Sequence, residues 1–408
     1  MNKNKRNILL SAYACEPNRG SESEVGWKWS ISLIKSGFNV FVVTRKNNKS
    51  KIEKEIKKRN YKNLHFLYFD FPKWFIKIIK GKKNSSSYFY FFIWQLGIFF
   101  LIKKFLKKQE INYIHHVTFV SYRFPSFLCF FKIPFIFGPI AGGDRIPFKL
   151  RKNFKIKNWI KELIRDVSNI YIKFSPLMNL IFFKSKKILV NSDDTKKSIL
   201  NIHYPKVSKL LAIGTELNNL KIKKYKKNFF FRVCFVGTLT DIKGCNILIK
   251  TISILYKINP NIYFTIIGQG ELKEKINKFI NNNKMNKNVH LIDFVNKNSL
   301  PEIYKKHDVL IAPYLRDSGS LAIIEAFENN LPVICLDNGG PKQIVNNNCG
   351  YKIKILNKSE NQIINSFVKK IIFLQKNPNK INYFKKNIKK KLRQLIWLKK
   401  VKKVYNSL

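Results

Sequence analysis

A chain of 408 residues is long for one domain and suits two of ~200 residues each, and its 45% hydrophobic content is enough to build cores. Lys and Arg number 78 against 24 Asp and Glu, a formal charge of +54, which invites an anionic partner. The six cysteines (Cys15, Cys129, Cys234, Cys245, Cys335, Cys349) form no CxxC pair; this excludes a disulfide frame or a zinc site and fits buried thiols in a reducing compartment.

The first apolar run, Asn7 to Tyr13, is short for a signal peptide and runs into Glu16 and Arg19, so it reads as a strand, Ile8–Tyr13. A polar, glycine-containing loop from Glu16 to Gly26 leads to a helix over Trp27–Ser36. Strands come next at Asn39–Thr44, Leu64–Phe69, Tyr113–Val117, Pro134–Phe137 and Lys187–Asn191. Between them, Tyr88–Ile102 is the one membrane candidate; it is shorter than the ~20 residues a span needs and holds Gln95 and Gly97, so a buried or surface-seated helix is expected. Near Pro205–Lys227 the strand pattern stops and the chain turns basic. The rhythm then restarts: strand Arg232–Val236, helix Asn246–Lys257, strands Ile262–Ile267, Val289–Ile292, Val309–Ala312 and Val333–Leu336, and a basic helical tail from Asn379. Such alternation predicts an α/β architecture, a parallel sheet wrapped by helices, built twice. Ligands of open α/β sheets sit at the carboxyl ends of the strands.

The richest stretch lies just after such an end. Pro313–Pro341 reads PYLRDSGSLAIIEAFENNLPVICLDNGGP. A polar turn, Arg316-Asp317-Ser318-Gly319-Ser320, opens a helix over Leu321–Glu328. A helix N-terminus presents unpaired N–H groups and suits a phosphate. Gly319 allows close approach, and Glu325 stands one to two turns in, on a face that reaches a ribose diol. The bland alternative is an ordinary strand–turn–helix. The glycine loop from Asn18 to Gly26 (Gly20, Ser21, Glu22, Gly26) comes after the first strand; its acids Glu22 and Glu24 point to sugar or acceptor hydroxyls rather than a pure phosphate cradle. His115 and His116 lie on an apolar strand, where a histidine either bonds a sugar hydroxyl or is simply a core residue.

Taken in order along the chain, these pieces resemble the family-4 retaining glycosyltransferases of the GT-B fold. Ala14-Cys15-Glu16-Pro17-Asn18-Arg19-Gly20-Ser21-Glu22 with Val25-Gly26-Trp27 is similar to the glycine loop of a subgroup with an ACEP-type opening. His115-His116-Val117-Thr118-Phe119 and Phe137–Gly143 match the same subgroup. Phe235–Leu239 through Lys243-Gly244 resembles the donor-phosphate loop, and Ile267–Gly270 the IGxG turn. The resemblance implies two Rossmann-like domains facing each other across a cleft: residues 1–210 binding acceptor, 211–385 binding the nucleotide sugar, and a helix over 386–408 returning to the first. It implies donor contacts from Gly237, Thr238, Lys243, Arg316, Asp317, Ser318, Gly319, Ser320, Leu321 and Glu325. His115, His116, Lys243 and Asp317 become the catalytic candidates.

Two departures stand out. The family's paired glutamates, eight positions apart, are here Asp317 and Glu325. The Arg that usually comes after the first glycine of the phosphate loop is Thr238, removing one charge-assisted contact to the leaving diphosphate. Either Lys243 and backbone amides suffice, or Arg316 or Lys342 stands in.

The expected activity is retaining transfer from a nucleotide-diphosphate sugar to a glycan or lipid-linked acceptor in bacterial surface-polysaccharide or lipopolysaccharide assembly, with front-face attack, no metal and no cofactor. The expected setting is cytoplasmic, at the inner face of the membrane. Lysine abounds even in loops such as 281–287, a compositional habit that either accounts for the charge by itself or leaves part of it to an anionic partner. Of possible partners, an anionic leaflet is favoured over nucleic acid, since no nucleic-acid motif of the usual kinds occurs. Lys73–Lys83, Phe99–Lys108 and Phe148–Lys161 are the basic, aromatic segments that suit it. The rival is a catalytically weak or inactive GT-B protein acting as a basic membrane- or nucleic-acid-binding module.

Overall fold

The computed structural model describes residues 6–80, 87–216, 225 and 229–407, except the side chains of Ser21, Lys80 and Ser87. Residues 81–83 of the first basic segment and most of 217–228 in the linker stretch lie outside the described residues. The chain forms two compact units. Met1–Gly143, Val167–Gly214 and Trp397–Leu408 make the first; Asp144–Asp166 and Thr215–Ile396 make the second.

The first unit is built on β1 (Asn7–Ala12), β2 (Asn39–Thr44), β3 (Leu64–Tyr68), β4 (Tyr113–Thr118), β5 (Phe135–Ile140), β6 (Lys187–Val190) and β7 (Val207–Lys209). They form one parallel sheet in the order β3-β2-β1-β4-β5-β6-β7. Successive residues Ile8, Leu9 and Leu10 are all fully buried, because helices cover both faces of a parallel sheet; its strands therefore read as unbroken apolar runs. The second unit holds β8 (Phe231–Val236), β9 (Ile262–Ile267), β10 (Val289–Ile292), β11 (Val309–Ala312), β12 (Val333–Leu336) and β13 (Gly350–Ile353). These make a second parallel sheet in the order β10-β9-β8-β11-β12-β13. Both sheets reverse their strand order once, between β1 and β4 and between β8 and β11. The two-sheet α/β architecture expected from the alternation is the one observed.

The first helix departs from expectation. It spans Ser21–Ile34, so residues 21–26 are helical and the loop ends at Gly20, whose φ is +77°. Glu22 and Glu24 in the first turn favour a helix start through the dipole. Strands β7 and β13 escaped the sequence reading because VSK and GYKI carry no apolar run.

The aromatic run forms the helix Ser87–Phe105. By length and composition alone it could cross a membrane. Tyr90, Phe91, Trp94, Ile98 and Ile102, spaced by one, three and four, are nevertheless buried in the core of the first unit. The last helix, Trp397–Tyr405, belongs to the first unit. Trp397 packs edge-on against Trp29. The Lys400 ammonium is buried over the Trp397 ring, 4.8 Å from its centroid, and donates to the carbonyls of Leu211 and Ile213; burial pulls its pKa down to about 7.

Candidate donor site

The strand order of the second sheet reverses between β8 and β11, the place at whose carboxyl ends open α/β sheets bind ligands. The turn after β8 runs from Gly237 to Gly244. Gly237 N–H donates to Ile267 O at 3.0 Å, Thr238 is exposed, and a single tight turn over Asp241–Lys243 ends at Gly244. Gly244 has φ +70°, and a Cβ there would lie 1.9 Å from Pro313 O. Only glycine lets this turn rest on the start of the turn after β11. Arg316 N–H completes the join by donating to Ile242 O at 3.1 Å.

Lys243 is thereby held between two groups of the neighbouring turn. Its Nζ lies 4.4 Å from the Tyr314 ring centroid and donates to Asp317 Oδ2 at 2.6 Å. The other carboxylate oxygen, Asp317 Oδ1, accepts from the amides of Gly319 and Ser320 at 3.1 and 3.0 Å. The shorter acid therefore folds onto its own turn and takes two of the amides that the resemblance assigns to the diphosphate or sugar. The amides of Leu321 and Ala322, in the first turn of the helix Leu321–Glu328, have no carbonyl one turn back to bond. Ser320 sits in the left-handed region at φ +49°, an uncommon conformation for a non-glycine residue. Its hydroxyl is buried with no hydrogen-bond partner, as are Thr240 Oγ1 and Asn338 Oδ1 on the turns after β8 and β12. Three neighbouring strand ends thus each present an unsatisfied polar atom, a cost a bound polar ligand would remove.

Glu325 lies one turn further along. The buried Tyr304 hydroxyl donates to Glu325 Oε2 at 3.2 Å, which orients the carboxylate. Arg316 does not lend its charge to the turn: its Nη1 donates to both oxygens of the buried Glu162, at 2.6 and 2.7 Å. Ser318 Oγ donates to Asp144 Oδ2 at 3.2 Å. Asp241 accepts from the Lys155 amide and the Asn158 side chain at 3.1 and 2.9 Å. Lys342, the other stand-in cation, is exposed on the short helix Gly339–Ile344.

The residues that sequence reasoning missed are these partners. Tyr314 lies inside the motif stretch but was not singled out, Tyr304 shortly precedes it, and Asp241, Asp144 and Glu162 stand far from it in sequence. The last two belong to Asp144–Asp166, which groups with the second unit although in sequence it falls between β5 and β6. The one sequence signal was that Asp144 comes directly after the Gly142-Gly143 pair.

The candidates in the first unit are placed differently. His115 and His116 lie inside β4 and are both buried. His115 Nδ1 accepts from the Tyr405 hydroxyl at 2.6 Å and its Nε2–H donates to Gly138 O at 2.5 Å. Both ring nitrogens are used, and burial pushes the pKa down to about 3. His116 Nε2–H donates to Phe119 O at 3.0 Å, while Nδ1 has no partner; burial lowers its pKa to about 4. Of the glycine-loop residues, Gly26 is inside the first helix, where a Cβ would meet Ala14 O at 2.3 Å. It lets the helix pack on the loop that comes after β1. The side chain of Ser21 lies outside the described residues. Glu22, in the first turn of the first helix, accepts from the Val120 amide just beyond β4 at 2.5 Å, and burial raises its pKa to about 7.

Residues 218–391 match the family described as glycosyl transferases group 1. An uncharacterised glycosyltransferase of Methanocaldococcus jannaschii is 28% identical over 214 residues, 48% of this chain and 52% of that protein. The matched stretches span about half or less of the curated relatives. Among solved structures, the lipopolysaccharide outer core galactosyltransferase WaaB in its apo form aligns with a TM-score of 0.64 at 11% identity, over 98% of this chain and 100% of that one. Anabaena HepE in complex with UDP aligns at 0.59 and 12% identity, over 98% and 99%. At such identities the likeness is one of fold.

Proposed function

We propose, from the match of residues 218–391 to the glycosyl transferases group 1 and from the GT-B fold, that this chain moves a sugar from a nucleotide-diphosphate donor to a glycan or lipid-linked acceptor. Retention of configuration, without a protein nucleophile or a metal, is part of the proposal, as is a role in surface-polysaccharide or lipopolysaccharide assembly at the cytoplasmic face of an anionic membrane. The observation that carries it is the turn Arg316–Ser320. It joins Lys243, the free first-turn amides of Leu321 and Ala322, and Glu325 at the point where the strand order of the second sheet reverses.

In this reading the diphosphate takes the amides of Leu321 and Ala322, and Lys243 answers the charge that grows on the leaving phosphate. Glu325, aimed by Tyr304, accepts from the ribose hydroxyls. Asp317 keeps Lys243 in place, and its carboxylate meets the donor sugar. UDP, which HepE holds, is the nucleotide to try first.

A thermal-shift titration with UDP, GDP, ADP and CMP, run beside Glu325→Ala, tests the donor site. A ligand at ~100 times its dissociation constant adds about 2.7 kcal/mol of stability. The expected outcome is a shift with one nucleotide that the variant loses. A folded protein that shifts with none has no working donor site.

One observation favours a second reading, a weak enzyme. Thr238 stands where the family has Arg, Arg316 is held by Glu162, and Lys243 by Asp317. Nucleotide binding without measurable sugar transfer or donor hydrolysis would select it.

A further inference from the structure

The helix Ile156–Phe174 is apolar on the outside. Ile156, Ile160, Ile164, Val167, Tyr171 and Phe174 recur at intervals of four, four, three, four and three, so they line one face. Every one of them is exposed, from 46% at Ile160 to 80% at Ile156. Leu163 and Ile170 widen the stripe, and Leu177, Leu180 and Phe183 extend it onto the next helix, Pro176–Lys184. Nineteen residues at about 1.5 Å each give a face of about 28 Å. A stripe of this size on a protein surface marks an interaction site.

Charge selects the partner. The acids of this helix are turned inward and paired: Glu162 with Arg316 and Asp166 with Arg151, at 2.6 Å in each case. Lys157 and Lys161 are exposed along one edge of the stripe. The outer face therefore carries apolar and basic groups and no acid. A second copy pairing on this face would set lysine against lysine. A leaflet of anionic lipid offers acyl chains to the stripe and phosphates to its basic edge, the two contacts that hold an interfacial helix.

We infer that the helix Ile156–Phe174 is the membrane-docking element of this protein, lying flat on an anionic leaflet with its apolar stripe inserted below the headgroups. The inference rests on the membrane contact of the proposed function and locates it. It moves the contact from the three basic segments to a face that begins in the last of them and runs beyond it.

Flotation of the full chain tests it, with phosphatidylcholine vesicles and with vesicles containing phosphatidylglycerol. The variants are Ile160→Glu/Val167→Glu/Phe174→Glu and Lys157→Glu/Lys161→Glu. The expected result is binding to the anionic vesicles only, weakened by salt, reduced about tenfold or more by the lysine variant (about 1 kcal/mol per lysine near the surface) and abolished by the triple variant. All five positions are outward-facing, so circular dichroism and the nucleotide-induced thermal shift should be unchanged. Absence of flotation, equal binding to neutral vesicles, or binding indifferent to the triple variant overturns the inference. So does a dimer in light scattering that the triple variant dissolves while the wild type ignores vesicles. Failure of the donor reading is seen separately, as a missing nucleotide shift in a wild-type protein that still floats.

Discussion

The end of β11 in the second unit and the end of β4 in the first stand at the same place in two sheets of similar winding, and the chain puts chemically promising residues at both. After β11 a charged turn packs against glycines, its Asp317 holds Lys243 of the turn after β8, and Ser320, Thr240 and Asn338 each keep an unsatisfied polar atom at neighbouring strand ends. In β4 the two histidines are turned into the sheet's own packing. His115 is closed off by Gly138 and by Tyr405 from the far end of the chain. The contrast is between a turn and a strand interior. A turn that must leave the sheet keeps its polar groups unpaired by secondary structure, whereas a residue within a strand buried on both faces must satisfy its polar atoms locally or pay for their desolvation. Strand-end position, more than residue type, separates a candidate site residue from a structural one.

The largest expected effect tests the second-unit side. Lys243→Ala should lower kcat for sugar transfer by about 10²–10³-fold, the loss typical of one preorganised contact to developing charge, with a smaller change in nucleotide affinity. Asp317→Asn, which keeps the caps on Gly319 and Ser320 but weakens the hold on Lys243, should fall between that variant and the wild type. A Lys243→Ala enzyme of full activity would make this turn as structural as β4.

The first-unit side is tested by stability. His115→Phe strands Gly138 O and the Tyr405 hydroxyl and should cost about 1–3 kcal/mol, read as a lower denaturation midpoint with the nucleotide shift intact. A fall in kcat at unchanged stability would reverse the assignment and make His115 a site residue.

Acid should expose the same burial. The unfolded chain protonates histidine near 6.5, but folded His116 stays neutral to about 4. Below pH 6.5 the unfolded state binds the additional proton, so stability falls as the pH drops through that window and is fully present above it. His116→Asn should flatten the profile by up to about 3 kcal/mol. An unaltered slope would mean that His116 is not buried neutral.

The same physics decides how much of this was legible in the sequence. The strands over 39–44, 262–267, 309–312 and 333–336 were readable to the residue because buried parallel strands are near-continuous apolar and β-branched runs bounded by polar turns. The helix Leu321–Glu328 was readable because a glycine-bearing polar turn precedes it. The start of the first helix was not: Gly20 and Gly26 look alike in sequence, yet one has a positive φ at the turn and the other sits where the helix packs on the loop after β1. The ion pairs that occupy Arg316 and Lys243 were also out of reach. Glu162 lies 154 positions from its partner, and no local pattern encodes that separation. The exposed stripe on Ile156–Phe174 has a helical period, but in sequence the period alone assigns it to a core.

The smallest effect concerns Tyr304, which no motif marks and which sharpens the comparison most. If strand-end turns supply the site, the groups behind them act by aiming those turns, and their loss should be mild and specific. Tyr304→Phe removes one hydrogen bond to Glu325 from a fully buried ring without opening a cavity. The bond is to a charged acceptor, so about 1.5–3 kcal/mol is at stake, but Glu325 stays anchored by its helix and recovers part of it from water. Nucleotide affinity should therefore drop about three- to tenfold, with kcat at saturating donor nearly unchanged, as expected when ground state and transition state lose the same contact. A drop in kcat at unchanged affinity would instead place Glu325 nearer the reacting bond than the ribose. No change in either would show that the carboxylate takes its orientation without Tyr304.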